Sequence, residues 1–364
     1  MRASTLLLEI RKGWKGFLIF TAVVVLIAGG FPQLFPIVQE QFEEQDNGLE
    51  GQESVRLVAE NSQLLLSWDF QHHGLVQEYR VIEDDAAHLA TAELVGSTSA
   101  KNMTIADEDG DERYFAVIAV MDDSSQVPVG MASTAELKDP MAELMATPYL
   151  QIFTDGRDDL RMDDMAGFMS IELYSWLFLL VGTWLAYISA RSVGGDFDRR
   201  RMDVVFSTPL MRRRYLAEKF LAISLMTFAV LMVSAAFMTL SVAQVGESGS
   251  LGAWKAFVSL LGAWPLFMFV IGLGFLFAAL LRSARGAAAL TFGVLLVQYV
   301  FNVAGHMIGG LSWLHTVTAL AYWDYNSVLL DGVFVAGDFV LLLVLAALIL
   351  LAAMILFDRM DIPA

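Results

Sequence analysis

The sequence has no cysteine. Disulfides, thiolate catalysis and zinc–thiolate sites are therefore excluded, and any domain outside a membrane must be held by its apolar core alone. No G-x-x-x-x-G-K-S/T loop occurs, so the sequence offers no cradle for nucleotide phosphates. H-E-x-x-H and G-x-S-x-G are also missing, and no enzyme is expected. Basic side chains are scarce where acidic ones are dense. Residues 39–166 hold 28 acidic against seven basic side chains, a local charge of −21 within a net charge of −17. A surface this acidic does not suit nucleic acid or anionic lipid. It is typical of proteins that stay soluble in high salt, and points to a halophilic source.

What is abundant is apolar. Of the 364 residues, 56% are hydrophobic, and the mean hydropathy is +0.57. The excess falls into blocks near residues 17–38, 167–190, 219–245, 256–281, 286–305 and 333–357. Each is close to the ~20 apolar residues that cross a ~30 Å hydrocarbon core. The expected fold is an α-helical membrane protein with six transmembrane helices.

At the N-terminus, Leu6, Leu7, Ile10 and Trp14 recur at helical spacing beside Arg11, Lys12 and Lys15. This predicts a short amphipathic helix on the membrane surface, followed by a first span that Pro32 and Pro36 kink or end. A cleavable signal peptide is the rival reading. Residues 39–53 read as a linker. Over 54–137 the period changes: VRLVAE, QLLLSWDF, EYRVIE, TAELVGS and RYFAVIAVM are short runs separated by Gly, Asp and polar clusters. That spacing predicts an inserted all-β sandwich outside the membrane. Residues 138–166 form a second acidic linker. The domain plan is thus 1–38 for the amphipathic helix and first span, 39–166 for the acidic insertion, and 167–364 for five further spans.

Orientation follows from Lys and Arg. The N-terminus, the loop 192–218, the turn Arg282–Arg285 and Arg359 carry the basic residues. All are expected inside, which places both termini in the cytoplasm and residues 39–166 outside.

The stretch SVGGDFDRRRMDVVFSTPLMRRRYLAEKF (192–220) is the most informative. Gly194–Gly195 is read as the end of the second span. Asp196 and Asp198 suit the first turn of a new helix, on which Met202, Val205 and Phe206 make one apolar face. Ser207–Thr208–Pro209 stops it. A basic loop that merely sets topology would read the same way. The stretch resembles the cytoplasmic loop of ABC transporter permeases of the type-2 exporter class, which reads roughly E-x-x-x-G-T-L-D-x-L-L-S-T-P-x-x-R with a later Lys. Asp196 takes the Glu position, Met202–Asp203 the Leu-Asp and Ser207–Thr208–Pro209 the Ser-Thr-Pro. Arg212 or Arg213 takes the Arg and Lys219 the Lys. Arg200–Arg201 departs from the usual Gly-Thr. The turn ALLRSARGAAA (279–289) and the aromatic segment before the last span also look like that family.

The resemblance implies a permease subunit whose coupling helix docks on a separate ATPase subunit, with Asp196, Met202, Asp203, Val205, Phe206, Pro209 and Arg212 as coupling residues. It also implies a second permease subunit, homo- or heterodimeric, in a lipid bilayer, and ATP bound by the partner. Residues 54–137 resemble a fibronectin type III domain, with Trp68 in the second strand and Tyr114 opening a later one. From a different class, a non-transporting receptor or anchor displaying the sandwich is the alternative.

Polar residues inside spans remain. Gln298, Asn302 and His306 share one face of span five. They line a translocation path or bond the backbone of a folded-back segment. Glu172 is placed at the headgroup boundary. Pro265, Gly272 and Gly274 read as a kink and close packing. Asp69, His72, His73 and His88 are metal-ligand types, but surface histidines are the better reading. Asn102–Met103–Thr104 is an N-x-T acceptor.

Overall fold

The computed structural model describes residues 5–50, 55–60, 63–70, 76–84, 92–106, 113–122, 125–134, 157, 160, 162, 164–202, 211–245 and 251–360. The chain divides into two compact units, one of residues 1–38 and 145–364, the other of residues 39–144.

The first unit is helical. Helices α1 (Thr5–Glu50), α2 (Met165–Asp198), α3 (Arg212–Val245), α4 (Ala253–Leu281) and α5 (Ala284–Met307) are followed by short α6 (Trp313–Thr316) and long α7 (Ala336–Asp358), and six of these are long and apolar enough to cross a membrane. The expected spans are all present. Helix α4 is the hub, packing on α2, α3, α5 and α7, and α2 also packs on α5. In α2, 72% of the apolar stretch is buried, against 17% in α5 and α7, whose outer faces are left for lipid. Glycine makes the closest approaches possible. A Cβ on Gly194 would lie 2.6 Å from the Ala284 Cα, and one on Gly274 would collide with Ser189. So Gly274 is the packing residue the sequence suggested, while Pro265 starts the second segment of α4 after a break at Gly262–Ala263.

Two expectations fail here. The N-terminal segment is not a separate surface helix, and Pro32 and Pro36 do not end the span: α1 is one helix through both prolines to Glu50, so the linker read from residue 39 is helical at its start. Pro32 and Pro36 have no N–H to offer the carbonyls four residues back, those of Ala28 and Pro32, so the helix passes them with support from its neighbours. Ser241 Oγ donates to the Gly29 carbonyl at 2.5 Å, and Gln33 Nε2 donates to Ser241 Oγ at 2.9 Å. Phe35, fully buried, packs beside Phe168. Contacts with α2 and α3 thus carry the helix past its prolines. The second failure is at Gly194–Gly195, which does not end span two. The helix runs on to Asp198, and Gly194 admits the start of α5.

Residues 308–335 fold back on the bundle as short 3-10, α and π turns. Tyr174 stacks on Tyr325 at 5.0 Å, its hydroxyl meets Ser259 Oγ at 2.5 Å, and Ser170 Oγ donates to Asn326 Oδ1 at 2.5 Å. Arg157 pairs with Asp331 at 2.9 Å, tying the chain before α2 to this segment.

The second unit is a β-sandwich. Its strands are β1 (Val55–Glu60), β2 (Gln63–Trp68), β3 (Val76–Asp84), β4 (Glu93–Thr98), β5 (Asn102–Ala106), β6 (Tyr114–Met121) and β7 (Gln126–Ser133). They form sheets of order β1-β2-β5 and β4-β3-β6-β7, antiparallel throughout. Inward residues of both sheets, among them Leu64, Leu66, Tyr79, Val81, Phe115 and Val117, make one core. All five runs read from the sequence are strands, and β5 and β7 are additional. Trp68 lies in that core against Tyr79, ring centroids 5.3 Å apart, while Tyr114 is half-buried at the head of β6. Asp69 pairs with Lys101 at 2.6 Å. His72, His73 and His88 lie outside the described residues, among which no metal-binding cluster occurs.

Candidate functional site: an ion-pair clamp at the basic end of the bundle

The end of α2, the start of α3, the start of α1, the α4–α5 turn and the end of α7 meet at one end of the helical unit. At its centre is Lys219, 2% exposed. Its ammonium donates to Asp196 Oδ2 at 2.6 Å and to the Ser192 carbonyl, and lies 3.8 Å from Glu9 Oε2. Tyr215 donates its hydroxyl to the same Asp196 oxygen at 2.6 Å, and its ring lies under the ammonium at 4.7 Å. Ser192 Oγ donates to Glu9 Oε1 at 2.7 Å. The buried cation is thus met by two carboxylates, a carbonyl and a ring face, the dense partnering that a buried charge requires.

Local sequence explains the convergence. Ser192 and Asp196 are four residues apart on α2, as are Tyr215 and Lys219 on α3, so each pair shares one helix face. Asp196 and Asp198 sit in the last turn of α2, not the first turn of a new helix. Acidic groups are unfavourable at that end of a helix dipole. Each has a compensating partner: Lys219 for Asp196, and for Asp198 the Ala284 backbone N–H at the positive start of α5, 3.1 Å away. Helix α2 closes with the Arg200 N–H on the Phe197 carbonyl and the Arg201 N–H on the Asp196 carbonyl, both 2.9 Å. This is a Schellman closure, which requires a left-handed residue at Arg200, and its φ is +50°. The pattern the stretch resembles has Gly near this point, and Gly suits that φ without steric cost.

The other expected coupling residues divide. Met202 is 2% exposed and belongs to the bundle's own core, so it is not part of an outward apolar face. Arg212 donates to the Asp358 and Met360 carbonyls at 3.2 and 2.7 Å. It caps α7, where a cation meets the negative end of the dipole. Asp203, Val205, Phe206 and Pro209 lie outside the described residues. Tyr215, Ser192 and Glu9 escaped sequence reasoning. The i, i+4 spacing to Lys219 and Asp196 was the available signal for the first two. Glu9 was visible only as the lone acid among Arg11, Lys12 and Lys15.

The polar face of α5 meets the folded-back segment. Gln298 Oε1 accepts the Ala319 N–H at 2.8 Å, Asn302 Oδ1 accepts from Thr318 Oγ1 at 3.4 Å, and the His306 and His315 rings lie 4.2 Å apart. Of the two readings left open, these contacts match support of that segment.

A six-span helical bundle with a β-sandwich inserted after its first span, and a buried ion pair at the base of a basic loop, is a polytopic membrane protein of transporter type. The family model described as ABC-2 family transporter protein matches residues 7–362, and the chain belongs to that family. A search of curated proteins found no match. Membership makes the chain the membrane subunit of an ABC transporter, in a family that implies an ATPase partner.

The clamp gives a stability test. Lys219→Met leaves Asp196 buried without its cation, and breaking one side of such a pair costs about 3–5 kcal/mol. Thermal unfolding of the detergent-extracted protein should therefore shift strongly downward. Asp196→Asn combined with Lys219→Met removes both charges and should recover most of the loss. Two losses that simply add would contradict the pairing.

Proposed function

We propose that the chain is the permease half of an ATP-driven exporter, and that residues 203–210 dock on a separate ATPase subunit that binds all the ATP. The observation that carries this reading is the clamp. Asp196 lies seven residues before Asp203 and Lys219 nine after Leu210, and their 2.6 Å contact joins the two stems of the loop. A loop that only set topology would need no joined stems. Force applied to it reaches α1, α2 and α3 together, as rocking between inward- and outward-facing states requires. The absence of a phosphate loop in the sequence supports ATP binding on the partner. A second permease chain completes the path.

The basic end of the bundle is assigned to the cytoplasm by the Lys and Arg asymmetry. Residues 39–166 are then external, and the order β1-β2-β5 over β4-β3-β6-β7 supports a fibronectin type III-like domain. Its acidity fits a high-salt exterior. A single cysteine introduced at the exposed Thr104 should react with an impermeant maleimide on intact cells, and one at the exposed Arg201 should react only after lysis. The reverse pattern would overturn the orientation.

With Met202 turned inward, Val205 and Phe206 remain as apolar anchors of the loop. Anchors carry most of an interface's binding energy. Phe206→Asp would place an unpaired charge in a desolvated contact. The expected outcome is at least a tenfold lower yield of co-purified ATPase, normalised to permease in the membrane, with normal insertion. Equal yields would remove the coupling role and favour the receptor reading.

A further inference from the structure

A second feature of the helical unit is unused by the clamp. Between α1 and α5, along the face of α2, runs an open groove of about 870 Å³. Its lining is apolar and aromatic, with Phe20, Phe31, Trp176, Trp184 and Phe292 among its walls. Trp184 is held in place by stacking on Phe20 at 3.8 Å and by the edge of Phe17 at 4.5 Å. The groove reaches from Glu172 to Tyr187 on α2. Fifteen residues at ~1.5 Å rise give about 22 Å, most of a ~30 Å hydrocarbon core.

Glu172 is the one charged residue in the lining. It is half-buried and has no ion pair or hydrogen-bond partner among the described residues. It sits in the π-helical turn Ser170–Tyr174, and such turns inside α-helices are frequent at functional positions. No cation pairs with it among the described residues. Its neighbours Leu173, Trp176 and Leu177 offer none. At the far end Tyr187 is already engaged, accepting a hydrogen bond from Arg191.

An elongated aromatic wall suits an alkyl chain or flat apolar body, and a lone anion suits a cation, which aromatic faces also attract. We infer that the groove binds lipophilic cations, a single apolar chain along α2 with its cationic head at Glu172. This names the substrate class of the proposed permease and rests on that reading for the word substrate; binding itself does not.

The test uses the full chain in bilayer discs of phosphatidylcholine, without ATPase or ATP. The probe is dodecylpyridinium, whose head quenches tryptophan. The chain has 8 tryptophans, so quenching that disappears in Trp176→Phe/Trp184→Phe locates the probe in the groove. Wild type should show saturable quenching above partition into empty discs. Glu172→Gln should weaken the cation roughly tenfold, while a neutral nitroxide-labelled fatty alcohol binds both proteins alike. Linear quenching in wild type, equal cation affinity in Glu172→Gln, or equal loss of cation and alcohol would each overturn the inference. Co-purification of ATPase is independent of this assay. No cation binding with ATPase association intact would remove the groove's role and leave the permease reading standing.

Discussion

A lysine ammonium shut inside a helix bundle must find its negative partners within the chain, and Lys219 does so by drawing three helices together. Asp196 comes from α2, Tyr215 from the turn of α3 before it, and Glu9 from α1. The Lys219 and Tyr215 contacts to Asp196 join α3 to α2, and the Lys219–Glu9 contact adds α1. Losing one charge strands another, so α1, α2 and α3 are held in a single arrangement at that end. Aromatic packing extends it to α7, where Phe357 meets both Phe197 and Tyr215. Arg212 closes the same corner by capping α7.

The same demand, that polar groups in lipid be met internally, explains the opposite end. The folded-back residues 308–335 are not a regular helix, and lipid does not tolerate exposed irregular backbone. They are accommodated because Gln298 accepts the Ala319 N–H and Ser170 donates to Asn326. Close to the prolines of α1, Ser241 of α3 donates to the Gly29 carbonyl. Each is a tertiary contact more than 20 residues away in sequence, apart from none of which the local sequence gives notice.

Hence the pattern of what could be read beforehand. Spans were legible because ~20 apolar residues can satisfy the bilayer in few other ways. Five strands were legible from alternation and turn residues. Strands β5 and β7 were not: NMTIA and QVPVGMAS carry too few large apolar residues, and Pro128 and Gly130 argue against a strand. Helix ends were misread where the local rule was sound but a distant partner overrode it. Pro32 and Pro36 should end a helix, Gly194–Gly195 should end a span, and two aspartates should start one. At the site, Asp196 and Lys219 were each picked out through the family-like motif, yet nothing local showed that they touch. Met202 was placed outward because its helix was expected to begin six residues before it, whereas α2 ends at Asp198 and the chain turns Met202 into the core.

The central claim is that the buried pair fixes the spacing of the two stems from which the loop 203–210 emerges. Because the chain has no cysteine, spin labels go only where they are placed. Labels at the exposed Arg199 and Met211, read by double electron–electron resonance, report that spacing directly. The account predicts one narrow distance distribution in the otherwise unaltered protein and a broad one in Asp196→Asn/Lys219→Met, in which both charges are gone and the fold is retained. Identical narrow distributions in the two proteins would contradict it.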